Sequence, residues 1–274
     1  MNAWQAIILG IVEGVSEFLP ISSTGHLILA QRWLGLANDE AARSYAVCIQ
    51  AGAILAVLAI YMPRVREMAR GVFRADPAGR RLAAHIVIAF LPAAIVGVAL
   101  EKKIDQYLFG LWPVVASWFV GGVAILAVAR LRKPVREGIG DIDAIDGKTA
   151  LAIGCWQCLA LWPGTSRSLV TIAGGVIGGL TLAAAVEFSL VLGLVTLLAA
   201  TAFKALHGGR AMLAEYGLFA ALLGFAVAAL AAWVSVRWMV GYLNRRGLAV
   251  FGWYRVALAL CVAAAIAAGM LAPT

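Results

Sequence analysis

Measured against a soluble domain, charge is what this chain most lacks. Only 13% of its 274 residues are Asp, Glu, Lys or Arg, where a soluble domain carries about 25%. That deficit excludes an ordinary water-soluble fold. Cysteine is scarce too: Cys48, Cys155, Cys158 and Cys261 all fall in apolar stretches. Cys155 and Cys158 form C-x-x-C, but no second pair stands at zinc spacing and no βαβ context surrounds them. Four packed, reduced thiols are expected. No strand pattern is evident, so no glycine loop for a nucleotide follows one. The first cation is Arg32, and the absence of a basic stretch before the first apolar run argues against a cleavable signal peptide. A net charge of +8 is read here as basic loops facing anionic lipid, with no nucleic acid as partner.

Apolar residues are what remains, 63% of the chain. Runs of Ala, Leu, Val and Ile reach the ~20 residues that cross a bilayer, which predicts an all-α polytopic membrane protein. Spans are expected at 44–62, 83–100, 112–131, 186–206, 216–237 and 251–271. Two more apolar segments are interrupted. Residues 3–12 run into Glu13, Ser16 and Glu17, then Pro20 and Gly25; residues 150–162 run into Pro163, Gly164 and hydroxyls up to Thr171. Short broken segments suit re-entrant hairpins lined by protein or a water-filled cavity. The order is hairpin, three spans, hairpin, three spans, which predicts an inverted-topology repeat. The pseudo-repeats would be 1–131 and 148–271 of a single membrane domain, joined by a basic loop, 132–147.

Cation counts bear on that topology. The hairpin arrangement puts 15 Lys and Arg on one face: those of an expected loop, 63–82, those from Arg130 to Lys148, and Arg237, Arg245, Arg246 and Arg255. The other face has 6: Arg32, Arg43, Lys102, Lys103, Lys204 and Arg210. Full spans in place of hairpins would give 13 against 8. The positive-inside rule therefore favours hairpins, with the N-terminus and the site opening toward the outside. Arg167 belongs to neither face.

Two segments hold the candidate chemistry. Glu13 and Glu17 are four apart and share a helix face. Two carboxylates at that depth repel unless a cation neutralises them, and a divalent cation with phosphate oxygens as further ligands fits. Solvated, idle interfacial glutamates are the alternative. Ser22, Ser23, Thr24 and His26 follow the Pro20 break. They offer a nucleophile with a base near it, or merely caps for the helix to about residue 34. Gly25 allows the turn's amides to face an anion. In P-G-T-S-R-S (163–168), Arg167 needs an anionic partner: phosphate, or a salt bridge to Glu13 or Glu17. Thr165, Ser166, Ser168 and Thr171 add hydroxyls. Gln50 and Gln157 are read as interhelical hydrogen bonders, Glu187 as a helix-start acid near water, and His85 and His207 as interfacial.

The stretches E-G-V-S-E-F-L-P-I-S-S-T-G-H (13–26), I-Q-A-G-A-I-L-A-V (49–57) and Q-C-L-A-L-W-P-G-T-S-R-S (157–168) resemble the undecaprenyl-diphosphate phosphatases of the bacitracin-resistance type. The likeness runs through nearly the whole chain in segment order. It implies hydrolysis of undecaprenyl diphosphate to the monophosphate and inorganic phosphate, with magnesium or calcium, at the bacterial inner membrane. It also implies metal and acid/base roles for Glu13 and Glu17, a nucleophile at Ser23, an acid/base at His26, phosphate binding at Arg167 and support from Thr171. The chain departs from the family pattern at Leu169-Val170, where Gly and a small residue are usual, and at Ala46, where an acid is frequent. Bulk at 169–170 is expected to reshape the second hairpin and to affect Ser168 and Thr171 most.

The combined reading is a membrane hydrolase with a polyprenyl diphosphate and membrane lipids as partners, a homodimer being allowed for. Metal-activated water competes with Ser23 as nucleophile. A transporter or flippase of a lipid phosphate is the rival, and a structural scaffold a third reading that gives no reason to bury Arg167.

Overall fold

A computed structural model describes residues 1–36, 40–108, 110–131 and 138–272. Residues 132–137 of the expected basic loop, with Arg132, Lys133 and Arg136, lie outside the described residues, as do the side chains of Lys204, His207 and Arg210. Among the described residues helix dominates, and the sole strand-like contact is one bridge between Ile139 and Leu180. A chain this apolar must satisfy its backbone within each segment once it leaves water, and the helix does so.

Among the described residues six helical stretches are long and apolar enough to cross a membrane: Ala41–Ile60, Pro77–Ile104, Leu111–Arg130, Leu182–Phe203, Met212–Arg246 and Ala249–Ala267. They coincide with the six expected spans, and the protein is a multi-pass membrane protein. They belong to α3 (Glu40–Ile60), α5 (Pro77–Leu108), α6 (Leu111–Leu131), α9 (Leu182–Arg246) and α10 (Ala249–Ala267). α9 holds two of them. Its backbone leaves the helix at Gly217 (φ 76, ψ 159), a conformation open to a residue without Cβ. Before that point Thr201 bonds Gln50; after it the Ala220 carbonyl accepts from Tyr45, and Phe225 packs on Gly52. The chain thus doubles back along α3.

Between the spans lie the two broken segments, each too short to cross. The first is α1 (Ala3–Ser16) and α2 (Ser23–Trp33). α1 opens on a capping box in which Asn2 and Gln5 exchange bonds of 2.9 Å. It is held by Gly10 and Gly14, where a side chain would strike the Gly224 and Ala228 carbonyls of α9. Such close approach is how small residues bind helices in lipid. The second is α7 (Gly147–Gln157), capped by Asp146 on the Thr149 amide at 2.8 Å, a 3-10 turn (Cys158–Leu161), and α8 (Arg167–Ile177).

Two expectations need correction and a third is refined. The stretch 63–82 is not loop: it forms α4 (Met62–Arg74) and the start of α5. Its arginines were read for charge alone, whereas their helical spacing leaves the apolar face of α4 against α5. Glu187 does lie in the early turns of α9 with its side chain 30% exposed, but it is paired. It bonds Arg64 at 2.8 Å, and Arg64 also pairs with Glu67 (3.0 Å), Asp143 (3.0 Å) and Asp141 (3.5 Å), tying α4 to the start of α9. Arg255, counted among the cations of the basic face, is fully buried within α10. That lowers the larger count by one and leaves the bias in place.

Candidate active site

The two broken segments meet, and the reason is visible in their backbones. Pro20 cannot continue α1, and the chain turns through Ser22 at φ 74, ψ 104 before α2 begins. Ser166 does the same at φ 74, ψ 112 before α8. Positive φ at a serine costs of order 1–3 kcal/mol and persists only where the surroundings impose it. Here the surroundings are each other. Ser166 Oγ and Ser168 Oγ lie 3.3 and 3.1 Å from the Leu19 carbonyl of the first segment.

A cavity of about 640 Å³ opens where they join. The first segment contributes Glu13, Glu17, Ser22, Ser23 and Thr24, the second Ser166 and Arg167, and Arg43 and Glu101 stand farther along its wall. Arg43 is near the start of α3 and Glu101 near the end of α5, so both mark the face opposite Arg64.

Within the cavity Ser23 Oγ donates to Glu17 Oε2. Ser23 is also the first residue of α2, whose N-terminus receives no side-chain cap from Ser22. Unsatisfied amides there favour an anion. Glu13 is buried beside this pair, and its Oε2 has no hydrogen-bond partner. An orphaned carboxylate oxygen in apolar surroundings calls for a cation. Among the described residues no group of three or more His, Cys, Asp or Glu could hold a metal. Glu13 and Glu17 therefore fit the magnesium mode of binding, in which one or two carboxylates share the ion with water and substrate phosphate.

Arg167 enters from α8. Its Nη1 donates to the Ser189 carbonyl at 2.9 Å, and its Cζ sits 5.5 Å from the centre of the Phe18 ring. Gly193 leaves the room, since a side chain there would overlap the guanidinium. Nη2 lies 3.8 Å from Glu17 Oε1, an ion pair too long for a hydrogen bond. Nε and Nη2, the side-on edge that grips two oxygens at once, have no hydrogen-bond partner.

Other expected site residues are placed differently. The Nδ1 of His26 is 2.6 Å from the Ser22 carbonyl and its Nε2 is 2.7 Å from Tyr254 Oη. A carbonyl only accepts, so Nδ1 carries the proton and Nε2 accepts from Tyr254. His26 thus fixes the turn before Ser23, while the side chain bonded to Ser23 is Glu17. The Thr171 hydroxyl is 2.8 Å from the Arg167 carbonyl and 2.6 Å from Ser189 Oγ. Ser168 and Thr171 brace the loop, whereas Ser22, Thr24 and Ser166 line the cavity. Leu169 and Val170 leave these braces intact because they line a different cavity, behind the loop. Gln157 and Gln50 bond neighbouring helices, through Thr196 and Thr201.

Sequence reasoning missed Arg255. From α10 its Nη1 reaches the Pro20 and Thr165 carbonyls at 3.4 and 3.1 Å, and its Nη2 the Ser117 and Gly164 carbonyls at 2.9 and 3.0 Å. One guanidinium thereby holds both turns. Trp118 adds a bond from Nε1 to the Ile21 carbonyl at 3.0 Å. The signal was available, since an arginine inside the expected span 251–271 is a functional candidate by its cost alone.

Known proteins resemble the chain over most of its length. A family described as "Bacitracin resistance protein BacA" matches residues 6–261. An undecaprenyl-diphosphatase of Sorangium cellulosum is 46% identical over 261 residues, which is 94% of this chain and 85% of that protein. One from Rhodopseudomonas palustris is 42% identical, covering 97% of both chains, and "Undecaprenyl-diphosphatase 2" of Rhodospirillum rubrum is 42% identical over 97% of this chain and 96% of its own. With a match that spans nearly its whole length, this chain belongs to the bacitracin resistance protein BacA family.

Proposed function

We propose that the chain hydrolyses undecaprenyl diphosphate, the lipid for which its relatives are named, to undecaprenyl phosphate and inorganic phosphate. This recycles the lipid carrier of cell-wall synthesis at the bacterial inner membrane and underlies bacitracin resistance. The observation that carries the reading is the unbonded Nε–Nη2 edge of Arg167 in the same buried cavity as the Ser23–Glu17 pair.

The residues divide the work. Arg167 takes two oxygens of the diphosphate, and the uncapped start of α2 faces the same charge. Ser23 Oγ attacks the terminal phosphorus while Glu17 accepts its proton; the anhydride bond breaks, and the lipid monophosphate leaves. Glu17 passes that proton to the departing lipid monophosphate, takes one from the water that attacks the phosphoserine, and returns it to Ser23 Oγ as the P–O bond breaks and phosphate leaves. Glu13 and Glu17 would hold magnesium or calcium, which when bound neutralises phosphate oxygens. Preorganised positive charge of this kind is usually the largest part of phosphoryl-transfer catalysis. His26 keeps the Ser22–Ser23 turn in place.

The halves 1–131 and 148–271 form an inverted repeat in this reading. Its support is the recurring order of broken segment and spans, with a positive-φ serine opening α2 and α8 alike. Cation bias supports a cytoplasmic face at Arg64–Arg81 and a cavity mouth facing outward. A lipid-phosphate carrier would use Arg167 but has no need of a serine bonded to a carboxylate.

Purified protein given farnesyl or undecaprenyl diphosphate and magnesium should release phosphate. Arg167→Lys keeps the charge and loses the two-pronged edge. It should lower turnover roughly 10²–10³-fold, the scale of losing one oxyanion donor, with unchanged melting temperature. Lipid movement between leaflets without phosphate release would favour the carrier. If Arg167→Ala unfolds the protein and pyrophosphate does not stabilise the wild type, Arg167 is a structural ion pair and the assignment fails.

A further inference from the structure

A second cavity, of about 850 Å³, lies behind the loop that carries Arg167. Its wall comes from α6, the α7 turn, α8 and the junction of α9 with α10, and includes Thr165, Leu169 and Val170 of the loop itself. The 162–170 segment is therefore a partition with a cavity on each side. The two differ in charge. The catalytic cavity mixes Glu13, Glu17 and Glu101 with Arg43 and Arg167. Among the described residues the second has no carboxylate in its wall, and the charges there are Arg245 and Arg246, both exposed and adjacent in sequence at one end. Between that end and Thr165 the wall is apolar, with Ala124, Val128, Trp156 and Ala173 among its residues.

Length is informative as well. The wall follows α6 from Ser117 to Ala129, which at the helical rise is about 18 Å. One leaflet of hydrocarbon is about 15 Å deep. A groove of that depth, largely apolar and doubly cationic at its surface end, matches a single lipid tail beneath an anionic headgroup. A zwitterionic choline headgroup would set a cation against the two arginines.

We infer that this groove is a binding site for an anionic phospholipid of the leaflet on the basic face. The phosphate rests on Arg245 and Arg246, and a tail fills the space behind the Pro163–Ser168 turn. The site is distinct from the catalytic cavity and does not depend on the reaction assigned to it.

The full-length protein reconstituted in phosphatidylcholine, with a minor fraction of brominated phosphatidylglycerol, tests this by quenching of Trp156 and Trp162. Brominated phosphatidylglycerol should quench more than brominated phosphatidylcholine at equal fraction, and the excess should vanish in Trp156→Phe/Trp162→Phe. Arg245→Ala/Arg246→Ala should weaken the apparent affinity for phosphatidylglycerol roughly fivefold per arginine. Arg237→Ala, which removes a cation outside the groove, should not. Equal quenching by the two lipids in the wild type overturns the site. So does an excess that survives loss of both tryptophans. An equal loss of affinity in Arg237→Ala would reduce the effect to general surface charge and overturn it too.

Discussion

Ser22 and Ser166 adopt nearly the same backbone and open α2 and α8 alike, yet the segments they begin do opposite things. Ser22 caps nothing with its side chain, and the next hydroxyl, Ser23, is bonded to a carboxylate. Ser166 caps Leu169 at 3.4 Å, and the following hydroxyls, Ser168 and Thr171, are used on the Leu19 carbonyl, Arg167 and Ser189. One segment keeps its polar groups available to a substrate. The other uses them to hold still and presents one guanidinium. The same bend thus serves reactivity in one place and rigidity in the other, and of the buried side-chain atoms without partners Glu13 Oε2 and Arg167 Nε and Nη2 belong to residues that line the shared cavity.

The sharpest way to break that contrast is to delete the paired hydroxyls. Ser23→Ala should lower phosphate release by ~10³-fold or more with substrate still bound, because it removes the nucleophile. Ser166→Ala should cost about 1 kcal/mol of stability, the worth of a cap, with turnover within roughly tenfold of wild type. Comparable losses in single-turnover assays would mean the segments are not specialised. Near-normal release by Ser23→Ala would pass the nucleophile's role to water.

A smaller loss is expected at the residue that joins the two segments. Arg255→Met leaves four carbonyls without their donor and should cost about 3 kcal/mol, the scale of breaking a buried charged network. Arg255→Lys, which keeps charge and some of the bonds, should recover part of both stability and turnover. Thermal melts and kcat should move together; a melt unchanged in Arg255→Met would remove its bracing role. The least effect belongs to Thr171→Val, which keeps shape and loses its hydroxyl bonds. About 1 kcal/mol of stability should go, and KM for the lipid diphosphate should stay put. A large rise in KM would return Thr171 to the substrate contacts.

The first segment was largely legible because carboxylates in an apolar run have no bland reason to be there; the same logic exposed Arg167. The partner of Ser23 was not. His26 is three residues on, one helical turn away, and looks like the base. Only the positive φ at Ser22 decides that Ser23 turns back to Glu17 on α1 while His26 bonds that turn's carbonyl and Tyr254. Arg255 escaped because it lies near the start of the last expected span and was counted with the basic face. α4 was lost for a different reason: six arginines between 63 and 82 draw attention to charge, and an amphipathic helix at an interface carries little of the long apolar signal that marks a span. Spans are read from runs and sites from exceptions to runs, while the carbonyls that a brace such as Arg255 reaches on other segments are read from neither.

The brace at Arg255 also sets an order of events during synthesis. It lies 91 residues beyond Gly164 and 235 beyond Pro20. At ribosomal rates of about 5–20 residues per second, the second turn exists for on the order of ten seconds, and the first for roughly half a minute, before the guanidinium that holds them is made. Until α10 enters the membrane, the nascent chain keeps two strained serine turns without their common donor. It becomes a finished enzyme only when its last described span arrives.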